Sequence, residues 1–207
     1  MATRVYLYPV WIRMWHIVNA LLFVILILTG ISLQYATMDG NYMIFGFEAA
    51  ITWHNIAAFL LTANYVFYVL GNWYTGNGKY YRIKKKKMGQ KLMKQFKFYA
   101  FGMFKKEEHP FPINEKRKFN PLQQISYVFA MYVGMPILIV SGFGLLFPEL
   151  LVGQFMGISG LAITDVVHIS SGFILSIFMV IHIYTCTLGE KPGTLFKSMI
   201  NGYHEEH

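Results

Sequence analysis

Residues Leu161–Leu188 read LAITDVVHISSGFILSIFMVIHIYTCTL, and this stretch decides the fold. A helix crosses a bilayer in about 20 residues, and a run this apolar and this long is helical because backbone polar groups in lipid need partners within their own segment. His168 and His182 stand inside it, fourteen residues apart. That spacing is about 21 Å along a helix and close to four whole turns, so both imidazoles leave nearly the same face, one near each membrane surface. Ionisable groups in a membrane are costly and point to function by default.

Three further apolar runs lie upstream, at about 11–35, 50–73 and 122–147, with the quoted run at about 161–188. The 207 residues are 55% hydrophobic, too little polar surface for a soluble globule of this size. The reading is all-α: one integral membrane domain over 1–207, a transmembrane four-helix bundle. Trp11, Trp15, Tyr35, Trp53, Trp73 and Tyr74 cluster at the span ends, where aromatic belts form. Fourteen of the 18 Lys and Arg lie between Lys79 and Lys118, in the loop 74–121; the other four are Arg4, Arg13, Lys191 and Lys197, near the termini. The opposite loops, around 36–49 and 148–160, hold Asp39, Glu48 and Glu149 and no Lys or Arg. By the positive-inside rule both termini and the basic loop are cytoplasmic. Confined to these loops, the net charge of +8 reads as topology and not as a nucleic-acid surface. Within the loop, Met88–Phe104 interleaves Lys91, Lys94 and Lys97 with Leu92, Met93, Phe96 and Phe101, which predicts a short helix lying on the cytoplasmic lipid surface. The apolar run behind Arg4 and Arg13 lacks a small-residue cleavage site and carries a histidine, so it reads as a retained helix. A single cysteine, Cys186, excludes an internal disulfide and a thiolate cluster.

Of the seven histidines, His109, His204 and His207 fall in polar segments. His16 and His182 lie at similar depth near the cytoplasmic surface; His54 and His168 match each other near the opposite one. Two depth-matched imidazole pairs suit two haem irons, and two axial histidines leave no open position on the metal. Zinc expects three or four ligands, and no Cys or His–carboxylate cluster supplies them. A porphyrin needs helix surface with little side chain. Gly30 and Gly142 are level with His54 and His168, Gly71 is level with His16 and His182, and Gly172 follows His168 by one turn; ordinary small-residue packing explains any one of them equally well. Arg13, one turn before His16, is a haem-propionate partner or a topology determinant.

These residues give the chain a specific resemblance. Arg13-Met-Trp-His16, Thr29-Gly-Ile-Ser32, His54, Lys118-Phe-Asn-Pro-Leu-Gln123, the His168/His182 spacing and the tail from Gly193 to Gly202 resemble the cytochrome b (gamma) subunits of respiratory formate dehydrogenases. They are also similar to the membrane subunits of thiosulfate reductases and nickel–iron hydrogenases. The resemblance spans nearly the whole chain. It implies an anchor in the bacterial cytoplasmic (inner) membrane that binds two haems b. It also implies a periplasmic iron–sulfur or multihaem subunit with its catalytic subunit as partners, and exchange of electrons with menaquinone or ubiquinone. It places the quinone near Asn120, Gln123 and His182. Pro121-Leu122 departs from the smaller pair typical there, and the tail after Glu190 is short. Asn120 followed by Pro121 also reads as a helix N-cap.

Two other readings compete. A stand-alone dihaem protein using a small diffusible donor would want a basic periplasmic pocket for an anionic donor such as ascorbate or superoxide, and that side has no Lys or Arg. A transporter or proton channel with histidine relays leaves the paired depths unexplained.

Overall fold

The computed structural model describes residues 3–37, 43–83, 87–105, 107–114, 117–151, 153–188 and 193–206. Asp39, Lys191 and His207 lie outside these described residues, as do Lys84–Lys86 and Lys116 of the basic loop. Among the described residues four helical spans are long and apolar enough to cross a membrane: α1 (Val10–Gln34), α2 (Phe47–Tyr74), Pro121–Leu146 and α6 (Gly160–Cys186). The third span is not a uniform helix. It consists of α4 (Pro121–Phe129), a π turn at Ala130–Gly134 and α5 (Met135–Leu146). Pro136 explains the break, because it has no N–H to give to the fourth carbonyl back and its ring crowds that carbonyl. The wider turn before it absorbs the mismatch. The Tyr65 hydroxyl, from α2, donates to the Met131 carbonyl at 2.9 Å, so backbone loosened inside the span is still satisfied.

α1 packs along α2, and α5 packs along α6. Between the two histidine levels, Leu22, Ala57, Leu61, Ala130, Met135 and Leu175 form the buried mid-span core. A Cβ on Gly134 would come within 2.8 Å of Leu175, so glycine at the π turn lets the third span close on α6. The outer faces are apolar and uncovered: Leu21, Val140, Val166, Phe173 and Val180 are all exposed. Side chains of this kind around a whole bundle fit a lipid surround and not water.

One end of the bundle gathers both termini and the basic loop. β1 (Thr3–Tyr6) pairs antiparallel with β4 (Tyr203–Glu206), and a short helix α7 (Thr194–Asn201) precedes β4. Gly202 sits at the join with φ +87°, and a Cβ there would meet Tyr6 at 2.7 Å and the Tyr8 carbonyl at 2.8 Å. Arg13 on α1 donates through Nη1 to the Ile200 carbonyl of α7. In the loop, α3 (Met88–Lys97) runs into a π turn at Phe98–Gly102 and packs against α4. Gln95 and Phe98 are buried, whereas Met93, Phe96, Phe101 and Phe104 are exposed. The interfacial helix predicted for 88–104 is therefore a ten-residue helix with a π-turn extension, attached to the bundle by one face. At the far end, β2 (Gln154–Phe155) and β3 (Ile158–Ser159) pair as a hairpin ahead of α6.

Candidate functional site

The helices bring the four span histidines together as two pairs. His54 of α2 faces His168 of α6 near the far end, with ring centres 6.3 Å apart. His16 of α1 faces His182 of α6 near the basic end, at 6.1 Å. A metal–imidazole bond is about 2.0 Å and the ring nitrogen lies about 1.2 Å from the ring centre, so two imidazoles on opposite sides of one metal have centres about 6.4 Å apart. Both pairs are at that separation. Among the described residues no three His, Cys, Asp or Glu side chains converge, so the donor set is two separate two-histidine sites.

The far pair is oriented by hydroxyls. Thr29 Oγ1 of α1 lies 2.9 Å from His54 Nδ1, and Ser141 Oγ of α5 lies 3.1 Å from His168 Nδ1. The glycines fit the same place: a Cβ on Gly30 would stand 3.6 Å from the His54 ring, and one on Gly142 would stand 3.1 Å from the His168 ring. Gly172 meets only Leu138, at an ordinary 3.8 Å.

The basic-end pair is built differently. The Tyr127 hydroxyl is 3.2 Å from His182 Nδ1, with Phe178 stacked on the same ring. Cys186 Sγ lies 3.9 Å from His182 Nε2. Around His16, Arg13 Nε, Trp15 Nε1 and Asn19 Oδ1 are buried with no hydrogen-bond partner among the described residues. Orphaned polar atoms beside a histidine fit a polar group carried in by a cofactor. Gly71, read from sequence as small-residue surface at this level, lies under Trp11, whose ring a Cβ would approach to 2.7 Å.

Asn120 and Gln123 form a capping box at the start of α4. Asn120 Oδ1 accepts from the Gln123 backbone N–H at 2.9 Å, and Gln123 Oε1 accepts from the Asn120 backbone N–H at 3.1 Å. Asn120 Nδ2 donates to the Tyr99 hydroxyl at 2.9 Å, which ties the loop to the span. Next to the box, the first residue of the Lys118–Gln123 motif has a role the sequence reading did not assign. Lys118 is buried, donates to Asn77 Oδ1 at 2.9 Å and lies over the Tyr80 ring at 4.5 Å. Asn77 in turn donates to Asn72 Oδ1 at 2.7 Å. Burial, then the neighbouring Lys79 charge, bring the Lys118 ammonium down to about 8.

The profile of the family described as prokaryotic cytochrome b561 matches residues 7–202. A protein of Escherichia coli (strain K12) named "Putative cytochrome YdhU" is 37% identical over 201 residues, covering 97% of this chain and 75% of its own length. No solved structure matches.

Proposed function

The chain belongs to the prokaryotic cytochrome b561 family, and from that premise we propose that it carries two haems b and links a far-end oxidoreductase to the membrane quinone pool. Membrane electron transfer is the family's work; the haem count, the partner and the quinone are the parts proposed. The observation that carries the reading is the pair of imidazole separations, 6.1 and 6.3 Å, one at each end of the bundle. His54 and His168 would hold one haem, and His16 and His182 the other. Held by these histidines, haem would supply one-electron exchange. The chain's own residues orient those imidazoles. Gly30 and Gly142 leave room beside the far pair, and the orphaned Arg13, Trp15 and Asn19 atoms offer polar partners at the basic end. The Leu22–Leu61–Leu175 core fills the interval between the two sites.

The basic end takes the cytoplasmic side by the positive-inside rule, in a bacterial inner membrane. The quinone then approaches His182 from the capping box. Asn120 has both amide atoms engaged within the protein, which leaves Gln123 Nε2 as the amide donor outside the box. A far-end partner, an iron–sulfur or multihaem protein with its catalytic subunit, is supported by loops there that hold Glu48 and Glu149 and no Lys or Arg. The formate dehydrogenase, thiosulfate reductase and nickel–iron hydrogenase complexes supply the pattern for that assembly.

Single replacements at each end test the assignment. His54→Ala is expected to remove the far-end haem and keep the other, and His16→Ala to do the reverse, each halving the haem per chain. Two haems with unchanged spectra in either variant would overturn the pairing.

A further inference from the structure

The two histidine pairs differ in what holds their outer nitrogens. A hydroxyl has one proton to donate. Thr29 Oγ1 gives its proton to the Ile25 carbonyl at 2.7 Å, and Ser141 Oγ gives its own to the Ile137 carbonyl at 2.7 Å. Toward His54 and His168 each oxygen is therefore an acceptor, and each Nδ1 carries the hydrogen. Both far-end imidazoles are fixed in the tautomer whose Nε2 lone pair is free for a metal. Each also has a hydrogen-bond acceptor behind it, which raises the basicity of a ligating imidazole. Among the described residues the basic-end pair is held differently: His182 Nδ1 faces the Tyr127 phenol, no backbone carbonyl takes the phenol proton, and no hydroxyl faces His16.

We propose that Thr29 and Ser141 are paired positioning residues that lock both far-end ligands as Nδ1–H tautomers and make that site the lower-potential haem of the two. This rests on the two-haem reading. More basic ligands favour the ferric state over the ferrous, so the hydroxyl-backed site holds its electron less tightly. Transfer of one electron from the far end to the basic end is then downhill. No bond is made or broken in that transfer: the far-end site is oxidised, the basic-end site is reduced and the donor protein replaces the electron, and two such transfers with two protons from the basic-end side convert one quinone to quinol.

Potentiometric titration of the purified protein, followed at the haem absorption bands, tests this with Thr29→Val, Ser141→Ala and the conservative Thr29→Ser. Native protein is expected to show two one-electron waves. In Thr29→Val and Ser141→Ala the lower wave should move upward, with a severalfold larger reduced fraction at a fixed potential within it. Thr29→Ser should restore the native curve, and the upper wave should stay in place. Should the Val or Ala variants shed the far-end haem, with about 10–100-fold weaker retention, while Thr29→Ser keeps it, the positioning role stands. Movement of the upper wave would overturn the ordering. Two waves unmoved by any variant, or equal loss of haem from Thr29→Ser, would overturn the tautomer lock. Native protein with fewer than two haems would instead contradict the two-haem reading on which the proposal rests.

Discussion

Lys118 is the residue whose charge the fold treats least kindly. It is buried with Lys79 nearby and Asn77 as its hydrogen-bond acceptor. Its folded-state value, about 8, lies below the ordinary 10.5. The folded chain therefore loses this proton first, and the unfolded chain binds more protons between the two values. Stability rises with pH across that window and is lowest, for this group, below pH 8. Thermal unfolding in detergent between pH 7.5 and 10 is expected to show this gain in the native protein and to lack it in Lys118→Met. Equal slopes in the two would remove the effect. At this scale sequence was a partial guide. His16, His54, His168 and His182 were legible because depth in a span follows from counting residues at a fixed rise. Thr29 and Ser141 were not legible as their supports, because each contact crosses between helices at 2.9 and 3.1 Å and depends on side-chain direction. Lys118 was legible as the head of the Lys118–Gln123 motif, but its burial shows only in the packing.

The elements show where local chemistry and function overlap. The four spans were readable from apolar length, since nothing else explains such runs. The π turn was not read, although its signal, Pro136 beside Gly134, stands in the sequence. The start of α4 carries two readings at once. Asn120 and Gln123 complete a capping box, and quinone exchange is proposed beside them. Asn120→Ala would cost the helix about 0.5–2 kcal/mol of cap and confuse the two. Gln123→Glu keeps the oxygen that accepts from the Asn120 N–H and removes the Nε2 donor. If that donor serves quinone, Gln123→Glu is expected to keep both haems while slowing quinone-dependent reoxidation of haem about tenfold or more. Native quinone kinetics in Gln123→Glu, with Asn120→Ala merely less stable, would leave the pair a cap and nothing else.

Across the whole molecule, α6 is the organising piece. It supplies one histidine to each pair, and α1 and α2 supply the others from opposite ends. The termini are joined as β1–β4 at the basic end, a small sheet across nearly the full length of the chain that no local pattern announces. An apolar core lies between the His54–His168 pair and the His16–His182 pair, and the proposed electron path runs between those two sites. Haem content with axial-ligand spectroscopy tests that central claim most directly. Pyridine haemochrome analysis of the purified chain is expected to give two haems b per polypeptide, with low-spin electron paramagnetic resonance signals for both irons and no high-spin signal. One haem per chain, or a high-spin iron in the native protein, would contradict it.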